Sequence, residues 1–315
     1  PYRRHIFWIT LIKEAPMPMP VPFVKEIEFE YGKVDQVSPM IRRVIAQNPG
    51  PFTYKGTGTY IIGRGNVAII DPGPLDDEHI AATLKAVEGE TVTHILITHT
   101  HRDHSPAAAP VKAATGAPTY GYGPHGGDRK GVKVEEGGDF DFMPDHVIKD
   151  GGVIEGDGWT FEAVHTPGHT SNHLCFALKE ENALFSGDHI MGWSTSVISP
   201  PDGDMADYMA SLRKLLDRDD SVFWPTHGPP IHDTKPFVES FIQHRERRED
   251  QILECIANGQ DTIPAMVPII YVNARPQLHP AARRSVLAHL IQMHAEGGVK
   301  CEGEPGPDTV YAVPG

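Results

Sequence analysis

The chain is short of cysteine, short of positive charge and without a long apolar run, and each shortage removes a class of explanation. Its three cysteines, Cys175, Cys255 and Cys301, stand far apart among 315 residues. They supply neither a disulfide framework nor a cysteine-type zinc ribbon, and they point to a reducing, cytoplasmic compartment. The 28 Lys and Arg face 42 Asp and Glu, a formal net charge of −14. Bulk attraction to nucleic acid or to an anionic membrane surface is therefore absent. No apolar run approaches the roughly 20 residues that a membrane span needs. The nearest is IFWITLI (6–12), which APMPMPVP follows with no convincing small-residue cleavage site. Residues 1–20 accordingly read as a flexible N-terminal extension.

What the chain has in quantity is turns and histidine. Its 31 glycines and 29 prolines punctuate short elements throughout. KEIEFEYG (25–32) alternates and reads as a strand; TYIIG (59–63) and VAIID (67–71) flank RGN as a hairpin. DDEHIAATLKAVEG (76–89) has helical spacing, with acids at its start and Gly89 at its end. THILIT (93–98) is a buried strand. SPAAAPVKAATG (105–116) reads as a helix with Ser105 as N-cap and a stop at Gly116. Short strands are expected around Val132–Val134 and His146–Ile148, and further strands over 159–166, 172–178, 182–187 and 221–225, with a helix at 205–218 between the last two. Strand pairs, then helices, then strand pairs suggest two packed sheets with helices outside, an α/β arrangement without simple alternation. Residues 21–234 form this body. From 235 to 315 a long helix with a charged middle (RERRED), two shorter helices and a ribbon describe a winged-helix-like module. That tail holds 8 basic and 10 acidic residues, against 20 and 32 before it.

THTHRDHS (98–105) places His99, His101, Asp103 and His104 within six positions at the end of a buried strand. His99 and His101, two apart, point the same way on extended chain. Three later strands also end in small-residue turns that carry ligand-type side chains: His169 after PG, Asp188 after Gly187, and His227 between Thr226 and Gly228. If the four strands end at one edge, five His and two Asp meet in one cleft. Seven donors exceed the needs of one tetrahedral ion and suit two ions that share a ligand. The other 13 histidines carry the opposite expectation. His79, His125, His289 and His294 read as surface or helix residues; His165, His173 and His189 lie near the cleft by sequence, with packing or ligand-orienting roles for His173 and His189.

HTHRDH, PGH, SGD and THG, in that order between residues 99 and 228, resemble the motifs of the metallo-β-lactamase superfamily. GTGTYIIG, AIIDPGP, FSGDHIMG, DYMASLRKLL, HGPPI and HRERREDQIL extend the likeness over nearly all of residues 50–300, to the β-lactamase-like-protein-2 subfamily with its C-terminal module. The resemblance implies a four-layer αββα sandwich with two zinc ions at the sheet edge. It implies His99, His101 and His169 on one ion, Asp103, His104 and His227 on the other, and Asp188 between them. Asp103 would also orient the attacking water, a metal-bridging hydroxide, and handle its proton. An all-N/O donor set accepts manganese or iron as well as zinc.

Such ligands do not choose the substrate. The leading expectation is hydrolysis of an ester, thioester or related carbonyl bond in a small molecule, because the acidic body and the acidic 200–207 loop would repel a polyanion. The alternative is a single-stranded RNA endonuclease, which subfamily members are described to be, with Arg245, Arg247 and Arg248 as its basic contacts. The plainer reading of those arginines is a solvated helix face paired with Glu246 and Glu249. A third reading is a metal-bound regulator that binds nucleic acid without hydrolysis, and the near-neutral tail speaks against it. Tyr54, Thr57, Trp193 and Asp204 are the candidate substrate contacts.

Overall fold

The computed structural model describes residues 20–126 and 137–314. The N-terminal extension, apart from Pro20, and the strand expected at Val132–Val134 lie outside the described residues. The first sheet holds β1 (Val34–Gln36), β2 (Ile41–Ile45), β3 (Gly58–Ile62), β4 (Asn66–Ile70), β5 (Thr91–Leu96), β6 (Thr119–Gly121) and β7 (His146–Val147), side by side in chain order. Neighbours are antiparallel up to β4 and parallel from β4 onward. The second sheet runs β12 (Val222–Pro225), β11 (Ala183–Gly187), β10 (Leu174–Leu178), β9 (Thr160–His165), β8 (Val153–Glu155), with only β11 and β12 parallel.

Alternation along each strand decides the layers. Tyr60, Ile62, Ala68 and Ile70 face Phe161, Phe176, Phe185 and Trp224 between the sheets. Their sequence neighbours Ile61, Val67 and Ile69 turn outward, onto Ile80 of α1 (Asp77–Ala86) and Val111 of α2 (Ala108–Thr115). On the far side Val164, Cys175, Leu184 and Phe223 meet Tyr208 and Leu212 of α3 (Met205–Leu216). The result is helix, sheet, sheet, helix. Among the described residues no helix is long and apolar enough to cross a membrane.

After the sandwich come α4 (Thr234–Ala257), α5 (Ile263–Ile270), α6 (His279–Ala295) and a ribbon of β13 (Lys300–Cys301) with β14 (Tyr311–Ala312). α4 serves two cores. Phe237, Val238 and Phe241 in its first half pack beside α3 in the sandwich. Ile252 and Ile256 in its second half pack with Met266, Val286, Leu290 and Tyr311 of the tail.

Two local expectations are corrected. KEIEFEYG does not form a strand, because no neighbouring backbone pairs with it; Val24 N donates to Gly192 O (2.9 Å) as the segment crosses the surface. Ser105 does not cap α2. Its hydroxyl donates to Asp139 (2.6 Å), and the helix begins three residues later at Ala108 with no side-chain cap. The other ends follow the local chemistry: Asp76 accepts from His79 N at the start of α1, and Gly116 closes α2 at φ 76°.

Candidate metal centre

Four loops at one edge of the sandwich carry the donors. The loop after β5 brings His99, His101, Asp103 and His104; those after β9, β11 and β12 bring His169, Asp188 and His227. Three triads can each hold an ion with one atom per residue: His99, His101 and His169; His99, His104 and Asp188; Asp103, His104 and His227. All seven candidates are therefore brought together. His99 Nε2 and His169 Nε2 lie 3.0 and 3.1 Å from His101 Nδ1. Asp103 Oδ2 is 3.1 Å from His227 Nε2, and Asp188 lies within 3.5–3.8 Å of His104, His169 and His227.

The far nitrogens of these rings fix which atoms face inward. His104 Nδ1 donates to Asp71 (2.9 Å), His169 Nδ1 to Val197 O (2.7 Å) and His227 Nδ1 to Gly56 O (3.1 Å). Thr98 Oγ1 already donates to Asp71, so it accepts from His99 Nδ1 (3.1 Å). In its neutral form, with the proton on Nδ1, each of the four rings presents an Nε2 lone pair to the cleft. At most one proton on His101 Nδ1 can satisfy one of the two nitrogens facing it. His104 Nε2, His227 Nε2 and Asp188 Oδ1 are buried without any hydrogen-bond partner. Converging lone pairs and orphaned buried acceptors are costly unless a cation sits among them. The donor set fits metal ions.

The electrostatics divide the five rings. Burial pushes His99, His101 and His169 below the ordinary imidazole pKa, which keeps them neutral. For His104 and His227 burial acts the same way, but carboxylates, Asp103 and Asp188 foremost, outweigh it and raise both. Burial would raise the Asp103 carboxyl; the adjacent His104 and His227 overcome it and bring it down to about 2.

Asp71 is the residue that sequence reading left unassigned. It is fully buried and accepts from Thr98 N (2.8 Å), Thr98 Oγ1 (2.7 Å), His104 Nδ1 (2.9 Å) and Thr226 Oγ1 (3.0 Å). It thus ties β5, the first ligand loop and the last one. Its φ of 47° is unusual for a residue other than glycine. The signal was its place in VAIIDPG, at a strand end facing the ligand loops. His173 backs the Asp188 loop, since Asp188 N donates to its Nε2 (3.2 Å) and its Nδ1 meets Thr166 Oγ1 (2.9 Å). His189 is buried against Tyr208 and has no hydrogen-bond partner at either ring nitrogen. His79 on α1 and His289 on α6 are helix residues as expected, though both are buried, and His125 is buried in a loop.

A cavity of about 210 Å³ opens from the donors. His101, Asp103, His169 and Asp188 line one part of it, and Trp193 lines its wall. Tyr54 stacks on Trp193, with ring centroids 4.8 Å apart. Thr57 and Asp204 do not line the cavity. Thr57 is fully buried and bonded to Asn48, whereas Asp204 caps α3 by accepting from Asp207 N (2.9 Å). Asp202 is also buried, and of the three acids in the 200–207 loop Asp207 alone is exposed. The arginines overturn expectation most. Arg245 and Arg248 are only 2% and 9% exposed and line the same cavity, with His244 and, from the tail, Tyr271. They are not a solvated face.

Comparison with known proteins adds the relatives. The sequence profile of the metallo-beta-lactamase superfamily matches residues 55–227, and that of the beta-lactamase associated winged helix domain matches 262–307. Lactamase-like protein adaB of Aspergillus niger is 30% identical over 89% of this chain and 88% of its own. The beta-lactamase-like protein 2 homolog of Caenorhabditis elegans is 33% identical over 85% and 88%. The atrochrysone carboxyl ACP thioesterase of Claviceps purpurea is 34% identical over 71% and 67%. Among solved structures, a metallo-beta-lactamase family protein of Thermus thermophilus superposes with a TM-score of 0.72 at 22% identity, covering 88% of this chain and 100% of its own. A beta-lactamase domain protein of Burkholderia ambifaria gives 0.74 at 17%, covering 95% and 96%.

Proposed function

The chain belongs to the metallo-β-lactamase superfamily, with a β-lactamase-associated winged-helix domain at its C-terminal end, and from that premise we propose that it is a binuclear metal-dependent hydrolase of an acyl thioester or ester. The observation that carries the reading is the convergence of seven His and Asp donors, lone pairs inward, on a cavity sized for a small molecule. The thioesterase names among its relatives favour a thioester carbonyl.

His99, His101 and His169 would hold one ion and Asp103, His104 and His227 the other, with Asp188 placed to reach both. Zinc suits these donors, and manganese or iron would be accepted. Bound metal would supply Lewis acidity, making water acidic near neutral pH and balancing charge on the carbonyl oxygen. The protein's own contribution is positional. Asp103 lines the cavity and is ionised at neutral pH, so its carboxylate can take the proton of the attacking water and return it to the leaving group. Asp71, Val197 O and Gly56 O hold His104, His169 and His227 in the ligating tautomer. Trp193, backed by Tyr54, and Met191 give the acyl group an apolar wall.

Zinc- or manganese-loaded protein should hydrolyse short acyl thioesters of N-acetylcysteamine. Asp103→Asn should lower kcat by about 10²- to 10⁴-fold, the usual worth of a positioned acid–base group. A labelled single-stranded RNA is the parallel substrate. RNA cleavage without acyl hydrolysis would replace this reading with the endonuclease; of its basic contacts Arg245, Arg247 and Arg248, the first and last are buried in the cavity wall and Arg247 is half-buried.

A further inference from the structure

Two buried arginines share the cavity with the metal donors, and none of the described residues gives them a carboxylate. Arg245 spends Nη2 on Ser196 O (2.5 Å) and lies over the Tyr208 ring, 5.1 Å from its centroid. Arg248 spends Nη1 on Gln251 (2.7 Å) and Ile270 O (3.1 Å) and lies 4.2 Å from the centre of the Tyr271 ring. The Nε of each is buried with no hydrogen-bond partner. Among the described residues neither forms an ion pair. Their basic-looking neighbours bring no counter-charge: burial, then the arginines, holds His244 down at about 3 and His289 well below its ordinary value. Glu249, on the same helix, reaches His289 Nδ1 (3.5 Å).

A guanidinium taken out of water without a partner costs several kcal/mol, whereas a bound anion would use its free donors bidentately. A purely structural role explains one bond of Arg245, which fastens Ser196, whose hydroxyl in turn donates to the backbone oxygens of Asp188 (2.6 Å) and His189 (2.8 Å). It leaves both Nε groups and the whole charge of the pair unexplained. From the tail, Tyr271, Ala274, Leu278 and Ala282 line the same cavity and bring no charge to the guanidiniums.

We infer that Arg245 and Arg248 form an anion subsite, and that the substrate is an acyl compound carrying a carboxylate or phosphate at the end remote from the bond to be cut. The inference rests on the acyl-hydrolase reading and names its substrate class. The body supplies the metal donors, α4 supplies the arginines and the tail module lines the same pocket with Tyr271, Leu278 and Ala282.

The test compares matched substrates on metal-loaded protein: the succinyl and pentanoyl thioesters of N-acetylcysteamine for a carboxylate on the acyl side, and acetyl-4′-phosphopantetheine and acetyl-pantetheine for a phosphate on the thiol side. One pair should show a preference of about 10- to 100-fold in kcat/KM for the anionic member, carried in KM, and that pair identifies the source of the charge. Arg248→Gln should bring the ratio toward one, and Arg248→Lys should retain part of it. Calorimetric titration with glutarate and with inorganic phosphate, on wild type and Arg248→Gln at equal metal content, reads the subsite without turnover. Thioester hydrolysis with no anionic preference in either pair overturns the subsite and leaves the hydrolase standing. Anion binding that Arg248→Gln abolishes, with no thioester cut, keeps the subsite and removes the acyl-hydrolase reading. Anion binding that the substitution leaves unchanged overturns the subsite whatever the wild type hydrolyses.

Discussion

A single buried carboxylate shows how much of the centre depends on residues that never touch a ligand. Asp71 receives four hydrogen bonds and sets the tautomer of His104. Asp71→Ala removes all four at once and leaves Thr98, Thr226 and His104 without their acceptor. The expected result is a loss of about 3 kcal/mol or more in stability and a 10- to 100-fold fall in metal affinity. Chemical unfolding of the metal-free protein and a competitive zinc titration check the two effects; wild-type metal affinity would show that His104 needs no such anchor. That seven His and Asp side chains meet at one edge was legible because each loop that carries them follows an apolar strand in a small-residue turn. Asp71 was not, since its partners Thr98, His104 and Thr226 are 27, 33 and 155 residues away. Arg245 and Arg248 were misread for a related reason. A charged helix face looks solvated until a second module is known to cover it.

At the scale of elements, turns and helix contacts place the ligands, and Gly168 carries the strictest demand. It precedes His169 at φ 135°, and a Cβ there would lie 2.3 Å from Tyr208 Cα, a backbone atom of α3 that cannot step aside. Asp204 N also donates to Gly168 O (2.9 Å), so turn and helix are bonded as well as packed. Gly168→Ala should cost about 2–4 kcal/mol and displace His169, lowering metal occupancy. A thermal midpoint and metal content equal to wild type would show that α3 can shift outward freely. Most elements were legible from period and punctuation, including α3, α4 and β9 to β12. β2 was not, because IRRVI sets two arginines in its middle. Both are buried, and Arg42, unlike Arg245 and Arg248, has a carboxylate partner, Glu90 (2.7 Å), besides the carbonyls of Ala86 and Gly63, although its Nε too has no hydrogen-bond partner among the described residues. KEIEFEYG erred the other way, since alternation marks a strand only where a partner strand exists to complete it.

For the whole molecule, buried neutral histidines set the response to acid. Burial lowers His79 to about 4 and His244 to about 3, one in the sandwich and one on the helix that both cores share. The unfolded chain binds protons at these groups first, near pH 6.5, so their stabilising contribution is complete above that pH. It is lost as pH falls toward about 4 and then 3. His104 and His227 act in the opposite sense in metal-free protein, so a variant difference is the clean readout. The metal-free His79→Gln protein should lose less stability than wild type between pH 7 and pH 4.5 in urea unfolding; parallel curves would show that His79 takes its proton in the fold without cost.

The same shared helix makes the two modules inseparable. Ending the chain at Asp233 would remove Phe237, Val238, Phe241 and Ala288 from the outer core of the second sheet, and would bare Tyr208 and Leu212 of α3. Three large apolar side chains, each worth roughly 1.5–3 kcal/mol when buried, are a large share of a domain's net stability. The truncated body should therefore be insoluble or unfold at low denaturant even with every metal donor present. Solubility on expression, followed by circular dichroism and metal content, decides it. A soluble body with full metal content would mean that the sandwich closes its own outer face, and that the tail serves only to roof the cavity.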